Sequence, residues 1–88
     1  MLKKIVFMGT PTFSVPILKS LYQNGYPISA VYTQAPQKSN RGMKVTKSPV
    51  QLIAETLSLE IRTPRNFINN DEEYEYLKKL SPDLVLVV

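Results

Sequence analysis

The chain has 88 residues with no cysteine and no histidine, which excludes a disulfide framework, a thiolate metal site and the one side chain that titrates near neutrality unaided. A chain this short buries only about 60–65% of its unfolded surface, so it reads as one small domain or a piece of a larger one. Its net charge of +4 is uneven: residues 1 to 54 carry seven cations and no acid, and residues 55 to 88 carry four cations and seven acids. Either the cations simply solvate a surface, or their segregation marks the first part as facing an anionic partner.

Met1-Leu2-Lys3-Lys4 leads into a strand within a few positions, with no separate apolar segment or cleavage site, so a cytoplasmic location is expected. No apolar run approaches the roughly 20 residues that cross a bilayer. Lys3 to Met8 reads as the first strand, its continuous Ile5-Val6-Phe7-Met8 run fitting a parallel sheet covered on both faces. A helix from Ser14 to Asn24 follows. Ser14 is its expected cap, Pro16 lies in the first turn and Gly25 supplies a left-handed stop. Leu18, Leu21 and Tyr22 form the expected inward stripe.

Ile28 to Thr33 is a second strand, rich in β-branched and aromatic residues. Gln34 to Lys47 is expected to be a loop, since Pro36, Asn40 and Gly42 interrupt it and no periodicity is sustained. Ser48 then caps a second helix with Pro49 at its first position; Val50, Ile53, Ala54 and Leu57 recur on one face. Leu59 to Arg62 is a third strand, closed by Thr63-Pro64. Asn70 opens a third helix, acidic at Asp71-Glu72-Glu73 and basic at Lys78-Lys79, as the helix dipole favours. Tyr74, Leu77 and Leu80 are its expected inward residues. After Ser81-Pro82, Asp83 to Val88 begins a fourth strand.

This order of strands and helices predicts an α/β fold, the first half of a doubly wound, Rossmann-like parallel sheet with strand order 3-2-1-4. The aliphatic last strand suggests truncation, residues 1 to 88 being a piece of a longer protein. Ligands of such sheets bind beyond the carboxyl ends of the strands. Gly9 to Phe13, Gln34 to Lys47 and whatever follows Val88 are expected there. Gly9 and Thr10 open a turn that can face an anion or a carbonyl. Pro11 and Phe13 occupy places where a dinucleotide fingerprint needs glycines, and Pro11 removes a donor that a phosphate cradle would use. Phe13 is either a core residue at the helix start or an apolar wall for a substrate side chain.

Lys38, Arg41, Lys44 and Lys47 recur at intervals of three residues. They either solvate a surface loop or, with the forked donor of Arg41 beside flexible Gly42, grip a phosphate or nucleotide end. The acids fit exposed helix faces or a strand start, and Asp83 stands at the opposite end of its strand. No catalytic residue is therefore expected in this segment.

The series Gly9-Thr10-Pro11-x-Phe13-x-x-Pro16, Thr33-Gln34, Arg41-Gly42, Ser48-Pro49-Val50 and Ser81-Pro82-Asp83 resembles methionyl-tRNA formyltransferase along the whole chain. The resemblance implies transfer of a formyl group from 10-formyltetrahydrofolate to the methionyl amine of initiator tRNA, without a metal and with no obligate protein partner. It implies that Gly9, Thr10, Phe13, Lys38, Arg41, Gly42, Lys44 and Lys47 face the tRNA and its methionyl end, with Arg41 at the acceptor. It places the family's Asn-x-His-x-Ser-Leu-Leu-Pro motif, a later Asp, most of the folate pocket and a C-terminal tRNA-binding domain beyond Val88. Two alternatives remain open on the residues. One is a formyltransferase acting on an amino-sugar nucleotide, which has less need of a long cationic loop. The other is a stand-alone RNA- or nucleotide-binding half-domain.

Overall fold

The computed structural model describes residues 4–38 and 44–88. In chain order these form β1 (Ile5–Met8), α1 (Ser14–Gln23), β2 (Ile28–Tyr32), β3 (Gln37–Lys38), β4 (Val45–Thr46), α2 (Pro49–Thr56), β5 (Ile61–Arg62), α3 (Asp71–Leu80) and β6 (Leu84–Val87). The main sheet is parallel throughout and ordered β5-β2-β1-β6. Counting only the four strands expected from the sequence, that is the order 3-2-1-4, and the fold is α/β and Rossmann-like.

Register explains the apolar run in β1. Val6 stands opposite Ala30 and Phe7 opposite Val31, and successive side chains leave a strand on opposite faces. Phe7 and Val31 therefore share one face, where Leu18 of α1 and Val50 and Ala54 of α2 cover them. Val6 and Ala30 share the other with Tyr32, against Phe67 and Tyr76, Leu77 and Leu80 of α3. The strand residues Val6, Phe7, Ala30 and Val31 are fully buried between these layers, and Phe67, Tyr76, Leu77 and Leu80 are partly buried. On β6 the cover is thinner: Leu86 packs on the Phe7 layer, whereas Val87 is 71% exposed.

Several local expectations are corrected. The Gln34 to Lys47 segment holds a short antiparallel hairpin, with Gln37 opposite Thr46 and Lys38 opposite Val45. Two-residue strands leave no periodicity in the sequence. Ser14 does not cap α1. The cap position is Phe13, already helical at φ −67°, and no side chain caps it. The turn carbonyls of Pro11 and Thr12 accept the N–H groups of Ser14 and Val15 at 3.0 and 3.1 Å, so the first donors are met without a hydroxyl. Ser14 is instead on the buried stripe with Leu18 and Leu21, and Tyr22 is 45% exposed.

On α3 the inward residues are Glu73, Tyr76, Leu77 and Leu80, spaced i, i+3, i+4, i+7 as a single face requires. Tyr74, expected inward, is 55% exposed, and Glu73, expected exposed, is buried. Two expected caps are in place. The Ser48 hydroxyl accepts from the Gln51 N–H at 3.0 Å, and the Asn70 side chain accepts from the Glu73 N–H at 3.2 Å. Gly25 takes φ +79° after α1, a conformation costly for a residue with a Cβ.

Candidate functional site

Three short hydrogen bonds fix the backbone at the carboxyl ends of β1 and β2. The Gly9 N–H donates to the Tyr32 carbonyl at 3.0 Å. The Gln34 N–H donates to the Thr10 hydroxyl at 3.1 Å. The Thr33 and Ser48 hydroxyls lie 2.6 Å apart, closing the base of the hairpin segment where β2 leaves and α2 begins. Thr10, Thr33 and Ser48 thus have a structural use that accounts for hydroxyls at those positions.

Gly9 is needed for a different reason than a tight turn. Its φ is not positive. A Cβ on Gly9 would stand 3.0 Å from Cβ and Oγ of Ser14 and 3.1 Å from Cε1 of Phe7. Glycine here lets the first turn of α1 lie directly against the strand end, and Ser14 is the small residue that meets it.

Beyond the strand ends opens a cavity of about 530 Å³, bordered by Gly9, Thr10, Tyr32, Gln34, Arg65 and Phe67, with Val87 and Val88 closing one side. Its size lies in the range of small-ligand sites, about 300–1,000 Å³. A second recess of about 500 Å³ lies across the Thr10, Pro11 and Gln34 wall and reaches Lys38, Thr46 and Ser48. The Gly9 to Thr12 turn and the start of the hairpin segment therefore separate two hollows.

The sequence-selected residues divide accordingly. Gly9 and Thr10 border the cavity, and Thr10 and Lys38 border the recess. Phe13 borders neither and is 65% exposed, so it is not the core residue that one reading allowed. Lys44 is exposed and borders neither hollow. Lys47 donates to Glu55 at 2.8 Å, which spends part of its charge within the protein. Arg41 and Gly42 lie outside the described residues.

A fourth segment reaches this end of the sheet, the one after β5. It carries Arg65 and Phe67 into the cavity lining. The rule that places ligands at the carboxyl ends of strands applies to β5 as much as to β1 and β2; the omitted signal was simply the next connection in the chain. The Phe67 ring lies 5.6 Å from that of Tyr32 at an interplanar angle of 37°.

A buried polar network stands behind this aromatic wall. The Tyr32 hydroxyl donates to Glu73 at 2.7 Å. Arg62 donates to both carboxylate oxygens of Glu73, at 2.8 and 3.3 Å, and its guanidinium lies 3.9 Å from the centre of the Tyr76 ring. Burial pushes the Tyr32 phenol well above its ordinary pKa, and the bond to Glu73 and the nearby carboxylate charge push it further. For Glu73 burial acts upward as well, but the bonds from Arg62 and Tyr32 and the Arg62 charge outweigh it and hold the carboxyl below its ordinary value. The phenol is a neutral donor and the carboxylate its charged acceptor. With Arg62 also committed, these groups brace the wall and are not placed to exchange protons with a ligand. Among the described residues, no group of three or more His, Cys, Asp or Glu side chains could hold a metal ion, and no helix is long and apolar enough to cross a membrane.

No family model matches the chain. It is similar to individual curated proteins throughout its length. Over all 88 residues it is 62% identical to the methionyl-tRNA formyltransferase of Pelagibacter ubique (strain HTCC1062), of whose length it spans 28%. Over 84 residues, 96% of the chain, it is 44% identical to the methionyl-tRNA formyltransferase of Caldanaerobacter subterraneus subsp. tengcongensis, spanning 27% of that protein. It is 48% identical over 85 residues to that of Rhizobium rhizogenes (strain K84 / ATCC BAA-868), again spanning 27%. The chain thus spans little more than a quarter of the length of these relatives.

Proposed function

From the chain's membership of the methionyl-tRNA formyltransferase family, we propose that the protein carrying it moves a formyl group from 10-formyltetrahydrofolate to the methionyl amine of initiator tRNA in the cytoplasm. The chain supplies the RNA-facing part of the site. The 62% identity across every residue carries this reading. It is supported by the placement of Gly9, Thr10 and Lys38 around two hollows at the carboxyl ends of the strands.

The proposed division of labour rests on the family resemblance and agrees with the residues present. In formyl transfer the amine attacks the formyl carbon, and donors must meet the negative charge that develops on its oxygen. Among the described residues no carboxylate borders either hollow, and the chain has no histidine. On the family resemblance we assign proton management, oxyanion stabilisation, most of the folate contacts and a C-terminal tRNA-binding domain to residues after Val88. Arg41, Lys38 and Lys44 attract the acceptor end, and Phe13, exposed at the start of α1, meets the methionyl end.

The test is a transfer assay with labelled 10-formyltetrahydrofolate and two acceptors, methionyl initiator tRNA and an amino-sugar nucleotide. Label is expected on the methionyl amine. Label on the sugar amine alone would overturn the reading in favour of a sugar-nucleotide enzyme.

A further inference from the structure

We propose that the cavity at the strand ends contains a nucleotide subsite in which Arg65 holds a phosphate and Phe67, backed by Tyr32, stacks on the base. The RNA terminus as its occupant rests on the function proposed above; the subsite itself rests on the cavity.

Arg65 is the one cation among the described residues that border the cavity, and no acid borders it. Its side chain is exposed. It makes no ion pair or hydrogen bond among the described residues, whereas Arg62 is committed to Glu73 and Lys47 to Glu55. A guanidinium left open beside a concave surface suits a phosphate, which it can grip with two parallel donors. Phe67 borders the same cavity and is half-buried. Its contact with Tyr32, whose hydroxyl is tied to buried Glu73, fixes its wall before any ligand arrives, so little ordering is needed on binding.

Asn66 and Gln34 border the same space. Their amides offer both donors and acceptors, as a base edge requires. A bare phosphate would leave the ring wall unused, and an aliphatic side chain would leave Arg65 unused. A nucleotide uses both. The subsite also lies across the Thr10 and Gln34 wall from Lys38, so an RNA strand held on the cationic segment can pass its end over that wall.

Calorimetric titration of the protein carrying this chain tests the assignment, using adenosine 5′-monophosphate, adenosine and an RNA trinucleotide ending in adenosine. R65A is expected to weaken the monophosphate about tenfold, the scale of a lost charge-assisted contact, and to leave adenosine unchanged. R65K recovers part of that loss. F67L, which keeps an apolar contact with Tyr32, is expected to weaken both ligands about tenfold through lost stacking. Equal affinity of R65A and wild type for the monophosphate overturns the subsite, as does an equal loss for adenosine. A trinucleotide as sensitive to R65A as the monophosphate supports an RNA end, and an insensitive one overturns that occupant. Because these titrations involve no transfer, a protein that binds in this way but moves no formyl group refutes the proposed function and leaves the subsite standing.

Discussion

Replacing Glu73 by alanine tests whether the buried network holds the aromatic wall in place. The substitution leaves the Arg62 guanidinium, among the described residues, with the Tyr76 ring alone and leaves the Tyr32 hydroxyl buried without its acceptor. Breaking one side of a buried ion pair costs about 3–5 kcal/mol. The Arg62 side chain keeps 29% of its surface in water, which lowers that figure to about 2–3 kcal/mol, the orphaned phenol included. In the protein carrying this chain, at the greater length of its relatives, each kcal/mol moves the melting temperature by about 2–4 °C, so a fall of about 4–12 °C is expected in melts followed by far-ultraviolet circular dichroism. Replacing both partners, E73L with R62M, removes the stranded charge and is expected to recover much of the loss. The wild-type stability should also depend on acid in a particular way. The folded Glu73 carboxyl binds its proton more weakly than the unfolded one. Its contribution is therefore complete above the ordinary value of 4.5 and is lost as pH falls through the folded value. E73Q lacks that part of the acid dependence. A fall of less than about 3 °C in E73A, or a double variant no better than the single, would refute the bracing role.

Three other outcomes are expected. In denaturant titrations Gly9→Ala should cost about 1–3 kcal/mol because α1 must retreat from the strand end, while Ser14→Ala, which removes a buried hydroxyl with no partner among the described residues, should be nearly neutral. Neutralising Lys38 or Lys44 should lower the salt slope of tRNA binding by about 0.7–0.9 each, and Lys47, already paired with Glu55, should change it less; three equal slopes would contradict that ranking. The 88-residue chain by itself should transfer no formyl group and should associate through β6, whose Leu84, Val85 and Val87 are exposed; turnover, or a concentration-independent monomer in light scattering, would argue against this.

The sheet was legible in the sequence because its cues are local and redundant. The apolar runs at Ile5 to Met8 and Ile28 to Tyr32, the Ser48-Pro49 start, the Asn70 cap and the left-handed Gly25 each state their role without a distant partner. What was not legible depends on such partners. Glu73 looks like one of three solvated acids at a helix start, and only Arg62 and Tyr32, 11 and 41 residues away, make it an inward residue. Its spacing of three, four and seven from Tyr76, Leu77 and Leu80 was the available sign. Ser14 looks like a cap because a hydroxyl follows a turn, yet the turn's own carbonyls do that work. Lys47 looks like a free cation until Glu55, eight residues on, is brought back to it by the two turns of α2. At the site, the segments after β1 and β2 were anticipated, whereas Arg65 and Phe67 carry no motif and become visible only through the cavity they line.

The most direct test of the account is the rate of formyl transfer to methionyl initiator tRNA by the protein carrying this chain, compared between wild type and Arg41→Ala at equal folate saturation. A loss of at least about tenfold is expected, on the scale of a charge-assisted phosphate contact. An unchanged rate, with the tRNA subsaturating, would contradict the claim that this chain forms the RNA-facing side of the site.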